Sequence, residues 1–372
     1  MRILSVVTLV TPDGAYGGPV RVAVNQAAAL AALGHQVLMT AAVRGFAEPP
    51  TELDGVPIRL FPARTLLPGT GFAGLAAPEM LRWLRGHLTD FDVVHIHAAR
   101  DLVTLPAAAL ARRAKLPYFL QTHGMIDPSA NPLAGPLDAV LTKGLLRHAA
   151  GVFHLTGFER DQLRAVAGDL RFVPLANGVP AAEPGPPLAA PVEVLYLARL
   201  APRKRPLAFV EAAVRLTKDF PGTRFTLVGP DEGEGPGVQT AIAAAKAAGV
   251  DLGWTGALPP ERTLERMRQA GVYVLPSVDE PYPMSVLEAL SVGRPVVITD
   301  TCGLADFVAS HSAGLVCDDS LESLTKAVAT LLADPEAAAA SGANGRAAVR
   351  EELSMAAIAA TLSTHYAQAV SS

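Results

Sequence analysis

The chain has 372 residues, half of them hydrophobic, and a formal net charge of -4. That length suits two α/β domains of about 150–200 residues each, and the charge excludes a dedicated nucleic-acid binder, which carries a basic excess. Its two cysteines, Cys302 and Cys317, lack CxxC spacing and read as reduced, structural thiols of a cytosolic protein.

From the N-terminus, Ile3–Leu9 reads as a buried first strand rather than a signal peptide, because Thr8, Thr11, Pro12 and Asp13 interrupt the apolar run. No stretch reaches the roughly eighteen uncharged apolar residues of a membrane span. Further strands are expected at Gln36–Ala42, Val56–Phe61, Val93–Ile96, Tyr118–Thr122, Val152–Leu155 and Phe172–Leu175. A second series follows at Val192–Leu197, Arg224–Val228, Leu252–Trp254, Val272–Leu275, Val296–Thr299 and Leu315–Val316. Helical spacing appears between them, as in Val20–Leu33, Leu207–Thr217, Val238–Ala248 and Ser285–Ser291. Strands alternating with helices predict parallel sheets covered on both faces. Between the two series, Gly178 to Pro191 holds five prolines, so the expected organisation is a domain over 1–178, a linker over 179–191 and a second domain over 192–352. The last segment, 353–372, carries a helical pattern with Leu362 and Tyr366 four apart, and either domain is open to it. Such sheets bind ligands outside the carboxyl ends of their strands, so a cleft between two of them is the expected site.

Three motifs stand at such strand ends. Gly14-Ala15-Tyr16-Gly17-Gly18-Pro19 lies between the first strand and the first helix. Its glycines admit close approach of an anion to free backbone N–H groups, although an ordinary strand-to-helix turn would use them too. Arg199, Arg203, Lys204 and Arg205 follow the strand Val192–Leu197. They fit a polyphosphate partner through charge-assisted bonds, and a solvated basic loop is the plain alternative. The third motif runs from Asp279 to Leu290, with Glu280 and Glu288 eight apart, Pro281 and Pro283 stiffening the approach, and Ser285 placed to cap a helix. Carboxylates there suit sugar hydroxyls; a complement to the helix dipole is the alternative, less natural for Glu288 among Val286, Leu287, Ala289 and Leu290.

The order and spacing of these pieces resemble the retaining GT-B glycosyltransferases of family 4 over nearly the whole chain. Besides Glu280, Glu288, Arg199 and Lys204, the resemblance rests on Gly17-Gly18-Pro19-Val20-Arg21-Val22, Gly34-His35-Gln36-Val37, Gln121 to Pro128 around His123, and Asn177-Gly178-Val179. It implies two Rossmann-like domains facing across a cleft, the first binding an acceptor and the second a nucleotide sugar. It further implies that Gly17 and Gly18 meet donor phosphates and that Arg199 and Lys204 neutralise the diphosphate. Glu280 would hold hydroxyls of the transferred sugar, Glu288 the ribose, and His123 would sit beside the donor sugar. Backbone around Gly256 and Leu258 would frame the nucleobase, and Pro283, Met284 and Ser285 would meet sugar and phosphate. Tyr16, Asp101 and Asp127 are the candidate acceptor contacts. The chain departs from the family pattern at Ala198 and Arg205, where glycines are usual, and at Gly303-Leu304 in place of a glycine pair.

The implied reaction moves a hexosyl unit from a UDP-sugar, before a GDP-sugar, to a hydroxyl of a polysaccharide, a lipid-linked intermediate or a natural-product aglycone. The nucleotide sugar is a co-substrate, with no cofactor, no metal and no nucleic-acid partner. A cytoplasmic location is expected, with the inner face of the membrane as its alternative. His95 and His97 alternate on a strand end, but no acidic third ligand stands near them in sequence. A sugar-nucleotide epimerase or glycoside phosphorylase on the same fold is the rival enzyme reading, and a two-domain sugar-binding protein the non-catalytic one.

Overall fold

The computed structural model describes residues 1–12, 17–187 and 192–371. Tyr16, in the first loop, and residues 188–191 of the proline-rich stretch therefore lie outside the described residues. The chain forms two units, Met1–Gly178 with the C-terminal segment from Met355, and Val179–Ser354.

In the first unit the sheet runs, edge to edge, Phe172–Pro174, Gly151–His154, Tyr118–Gln121, Val93–His97, Arg2–Val10, Gln36–Val43 and Val56–Pro62, with the short antiparallel strand Glu52–Leu53 at the border. Alternation along the strands divides the core. Leu4, Val6, Val94, Ile96, Leu120 and Val152 face one layer of helices, whereas Ile3, Val93, Phe119 and Phe153 face the other, as period-two side-chain direction requires. Against that second face packs the last helix, Met355–Val370, through Ile358, Ala359, Leu362 and Tyr366. The C-terminal segment thus belongs to the first unit.

The second unit's sheet is wholly parallel, in the order Leu252–Trp254, Arg224–Val228, Glu193–Leu197, Val272–Leu275, Val296–Thr299 and Gly314–Cys317. Its core joins these strands to Pro206–Leu216, Gly235–Ala247 and Leu321–Ala333 through residues such as Tyr196, Phe209, Phe225 and Val274. Both cysteines are buried and unpaired, and burial pushes each thiol up to about 11.

The expected proline-rich linker is described over residues 179–187. Residues 179–187 form no helix or strand, yet they are fastened to the second unit. Arg268 and Arg294 donate to the carbonyls of Pro184 and Pro186, Arg346 to that of Ala182, and Gly185 N–H to that of Val292. Prolines forbid a ladder here, so arginine side chains satisfy the carbonyls instead. Val179 N–H also donates to Leu353, at 2.9 Å, which brings the two passages of chain out of the second unit side by side. Among the described residues no helix is long and apolar enough to cross a membrane.

Candidate active site

Each sheet reverses its strand order once: between Arg2–Val10 and Val93–His97 in the first unit, and between Glu193–Leu197 and Val272–Leu275 in the second. Loops diverge at such a switch point and leave a crevice at the carboxyl ends. In the second unit the two loops concerned are the basic loop and the Glu280 loop.

After Glu193–Leu197 the chain turns through a short 3-10 segment, Pro202–Lys204, and Arg205 takes a left-handed conformation with φ 51°. This drives Lys204 inward, where its Nζ bonds the Glu280 carboxylate, both side chains being buried. Arg203 Nη2 stands 3.5 Å from the same Glu280 oxygen. The loops are laced by backbone as well: Val278 N–H donates to Arg203 at 3.0 Å, and Arg203 Nη1 donates to the Asp279 carbonyl at 3.2 Å. Glu280 is clamped from its other side by Gly303, whose N–H donates to the Glu280 carbonyl at 2.8 Å. A Cβ on Gly303 would fall 1.9 Å from the Pro281 carbonyl oxygen, so only glycine fits there. Gly229 has the same duty beside the basic loop, its Cβ position lying 1.9 Å from the Ala198 carbonyl oxygen.

Arg199 is exposed and reaches both oxygens of Glu232, at 2.9 and 2.8 Å. A solvent-facing pair of this kind contributes at most about 1 kcal/mol, so Glu232 yields readily to a stronger anion. Arg199 and Lys204 line a pocket of about 240 Å³ with Leu197, Gly229, Leu258 and Ser285. Gly256 borders it, its carbonyl accepting from Gly229 N–H at 2.8 Å.

The helix Met284–Ser291 begins after buried Pro283, which is its N-cap residue and offers no side-chain bond. Ser285 is therefore inside the first turn, and the expected Ser285 cap is corrected. Its Oγ instead lies 2.8 Å from the Tyr273 hydroxyl, which is also 3.0 Å from the Leu197 carbonyl. Burial keeps that phenol protonated by pushing it well above its ordinary range. Glu288 follows Ser285 by three residues on the same helix and is half-buried, like Met284.

In the first unit the helix starts at Gly17, earlier than the sequence pattern predicts. Gly18 is exposed, and nothing lies within 4 Å of its Cβ position, so its backbone is open to approach. His123 follows Tyr118–Gln121 with φ 52°, a strained conformation for a residue bearing Cβ. Glu159 holds it there. One Glu159 oxygen accepts from Thr122 Oγ1 at 2.6 Å and from Gly124 N–H at 2.7 Å, and the other accepts from Leu155 N–H at 2.6 Å. Glu159 is also the third residue after the N-cap Thr156 of the helix Gly157–Ala167. The Thr-x-x-Glu capping pattern from Thr156 to Glu159 is the sequence signal that marks it.

His123 Nε2 lies 2.8 Å from His97 Nδ1, and the two rings stack at 5.1 Å with 9° between planes. His97 stacks in turn on His95, whose Nδ1 is 2.7 Å from the Tyr366 hydroxyl. Burial lowers all three imidazoles, His123 to about 4 and His95 to about 3, so each is neutral at physiological pH. Among the described residues no group of three or more His, Cys, Asp or Glu side chains is placed to hold a metal ion.

Asp101, expected at an acceptor surface, is corrected. It is fully buried, and its oxygens accept from Thr8 Oγ1 at 2.6 Å, Val103 N–H at 2.8 Å and Thr104 N–H at 2.6 Å. It ties the first strand to the helix Thr104–Arg113 and has no face for a ligand. Asp127 is exposed and 3.4 Å from Arg100, which is itself held by buried Asp138 at 2.9 and 3.0 Å.

Two family profiles match the chain: a glycosyl transferase 4-like domain over residues 17–178 and glycosyl transferases group 1 over residues 187–348. The 2-deoxystreptamine N-acetyl-D-glucosaminyltransferase of Streptomyces fradiae is 30% identical, over 81% of this chain and 79% of that protein. The glycogen synthase of Mycobacterium tuberculosis is 28% identical over 66% of this chain, and the match spans only 61% of that relative's length. Among solved structures, the sucrose-phosphate synthase of Thermosynechococcus elongatus superposes with TM-score 0.71 at 20% identity, covering 99% of each chain. Anabaena HepE in complex with UDP superposes with TM-score 0.73 at 16% identity, over 99% of this chain and 100% of that one. These likenesses establish the two-domain GT-B fold.

Proposed function

The chain belongs to the group 1 glycosyltransferases, and on that premise we propose that it moves a hexosyl unit from a nucleotide-diphosphate sugar to an acceptor hydroxyl with retention of configuration. The observation carrying this reading is the second unit's switch-point pocket, where Arg199 and Lys204 stand with the buried Glu280 carboxylate. Cleaving the bond from anomeric carbon to diphosphate leaves negative charge on the phosphate and positive character on the sugar. Arg199, Lys204 and the first-turn N–H groups of Met284–Ser291 suit the phosphate. Lys204 has further N–H donors beyond the one engaged by Glu280.

In this reading Glu280 holds hydroxyls of the departing sugar and Glu288 the ribose. Gly256 and Leu258 frame the base, and Pro283, Met284 and Ser285 meet sugar and phosphate. Gly17 and Gly18 offer N–H groups to the phosphates, and His123 contacts the sugar. Charge neutralisation is assigned to the two cations, without metal or cofactor. The acceptor attacks from the face that the diphosphate leaves, its proton passing to the leaving oxygen, and no protein nucleophile is assigned. Asp127 is kept as the acceptor contact that the structure leaves exposed.

UDP is the nucleotide proposed first, in keeping with the UDP and UDP-glucose held by Anabaena HepE. A natural-product aglycone is the acceptor class proposed first, since the Streptomyces fradiae relative, matched over most of both chains, is named for transfer to 2-deoxystreptamine. A thermal-shift screen of nucleoside diphosphates, followed by acceptor trials with the best donor, tests the reading. Stabilisation by UDP supports it, and an unmoved transition with every nucleoside diphosphate at millimolar concentration refutes it.

A further inference from the structure

Both nitrogens of His97 are buried, and they are unlike. Nδ1 is 2.8 Å from His123 Nε2, whereas Nε2 has no hydrogen-bond partner among the described residues. A neutral imidazole carries one proton, and two placements exist. If His123 Nε2–H donates to His97 Nδ1, the His97 proton resides on Nε2 and is a buried donor with nothing to accept it. If His97 Nδ1–H donates to His123 Nε2, only a bare lone pair remains at His97 Nε2. An orphaned buried N–H is the rarer and costlier defect. The near-parallel stack of the two rings and the left-handed backbone of His123 leave the pair no simple exchange of partners.

We propose that His97 is a positioning residue that fixes the tautomer of His123, so that His123 presents Nδ1–H, a hydrogen-bond donor, to the ligand. The proposal rests on the placement of His123 beside the donor sugar. It deepens that placement by naming the chemistry recognised: an oxygen that accepts, such as a sugar hydroxyl or phosphate oxygen, rather than one obliged to donate. A histidine fixed in the opposite tautomer would demand an O–H. His95 backs the arrangement from behind, stacked at 4.5 Å on His97 and anchored through Tyr366 of the last helix.

The test is long-range proton–nitrogen correlation on the full chain labelled with ¹⁵N-histidine, with His123→Ala to assign the ring. The expected spectrum has His123 protonated at Nδ1 and bare at Nε2, and a single tautomer. His97→Phe fills the stack but removes the donor. It should mix the His123 tautomers and lower kcat roughly tenfold, the loss of about one hydrogen bond. His97→Asn, whose side-chain N–H group takes the place of Nδ1–H, should restore the single tautomer and most of the rate. A His123 proton on Nε2 in the native chain overturns the proposal, as does His97→Asn behaving like His97→Phe in the spectrum. Unimpaired transfer by His123→Ala would overturn the placement of His123 in the donor site instead, which the tautomer spectrum reads separately.

Discussion

Replacing Lys204 by Met keeps the length of the side chain and removes its charge, leaving Glu280 as a buried carboxylate with Arg203 Nη2 at 3.5 Å as its remaining cation. Breaking a buried pair by removing one partner typically costs about 3–5 kcal/mol; the nearby guanidinium places this case at the lower end, about 3 kcal/mol. For a unit of the size of Val179–Ser354, each kcal/mol moves the midpoint by roughly 2–4 °C, so Lys204→Met should lower that unit's Tm by roughly 6–12 °C. Glu280→Gln alone strands the ammonium and should cost a similar amount. The double variant Lys204→Met/Glu280→Gln holds no unpaired charge and should recover a coupling of about 1–3 kcal/mol. Differential scanning calorimetry on the four proteins reads the cycle, and far-ultraviolet circular dichroism checks that each is folded. Strict additivity would refute the claim that the two charges form one buried unit.

Arg199→Ala should behave differently: its surface pair with Glu232 contributes little to folding, so Tm should hold while nucleoside-diphosphate affinity drops roughly tenfold or more, and unchanged affinity would return the loop to a solvated turn. Glu159→Gln turns an amide N–H toward one of three hydrogen-bond donors and should destabilise the first unit by about 1.5–3 kcal/mol; transfer should fall while nucleotide binding survives, and equal loss of both would contradict the separate roles. Gly303→Ala, with its 1.9 Å collision against the Pro281 carbonyl, should displace the Glu280 loop and depress kcat, and wild-type kinetics would show that the clamp is dispensable. The three histidines take up protons only in the unfolded chain as pH drops below 6.5, so their stability contribution is complete above that value and falls away toward about 4 for His123 and lower for the other two. The slope should reach about 1.4 kcal/mol per pH unit per histidine, and urea midpoints for the first unit that stay flat between neutral pH and pH ~5 would contradict it.

Much of the fold was legible because parallel strands buried on both faces write themselves as short apolar runs. Arg224–Val228, Leu252–Trp254, Val272–Leu275 and Val296–Thr299 fall where the pattern predicts, and the other expected strands shift by a residue at one or both ends. Two-residue strands such as Arg64–Thr65 and Leu75–Ala76 carry too few side chains for any period and were missed. At the site, strand ends located the Arg199 and Glu280 loops, but sequence gives no measure of burial. That is why Asp101 read as a surface contact, when its carboxylate closes the start of a helix. The same blindness hid Gly229 and Gly303, whose demand for glycine comes from carbonyls distant in sequence. It also hid the ring contacts that turn His95, His97 and His123 into one stacked series.

The measurement that bears most directly on the account is isothermal titration of UDP into the native chain and into Arg199→Ala, each with and without a metal chelator. The account predicts one site per chain, a native affinity indifferent to the chelator, and a variant weaker by roughly tenfold or more. No heat with UDP or GDP, or a variant that binds as the native chain does, would contradict the assignment of the second unit's switch-point pocket to a nucleotide-sugar donor.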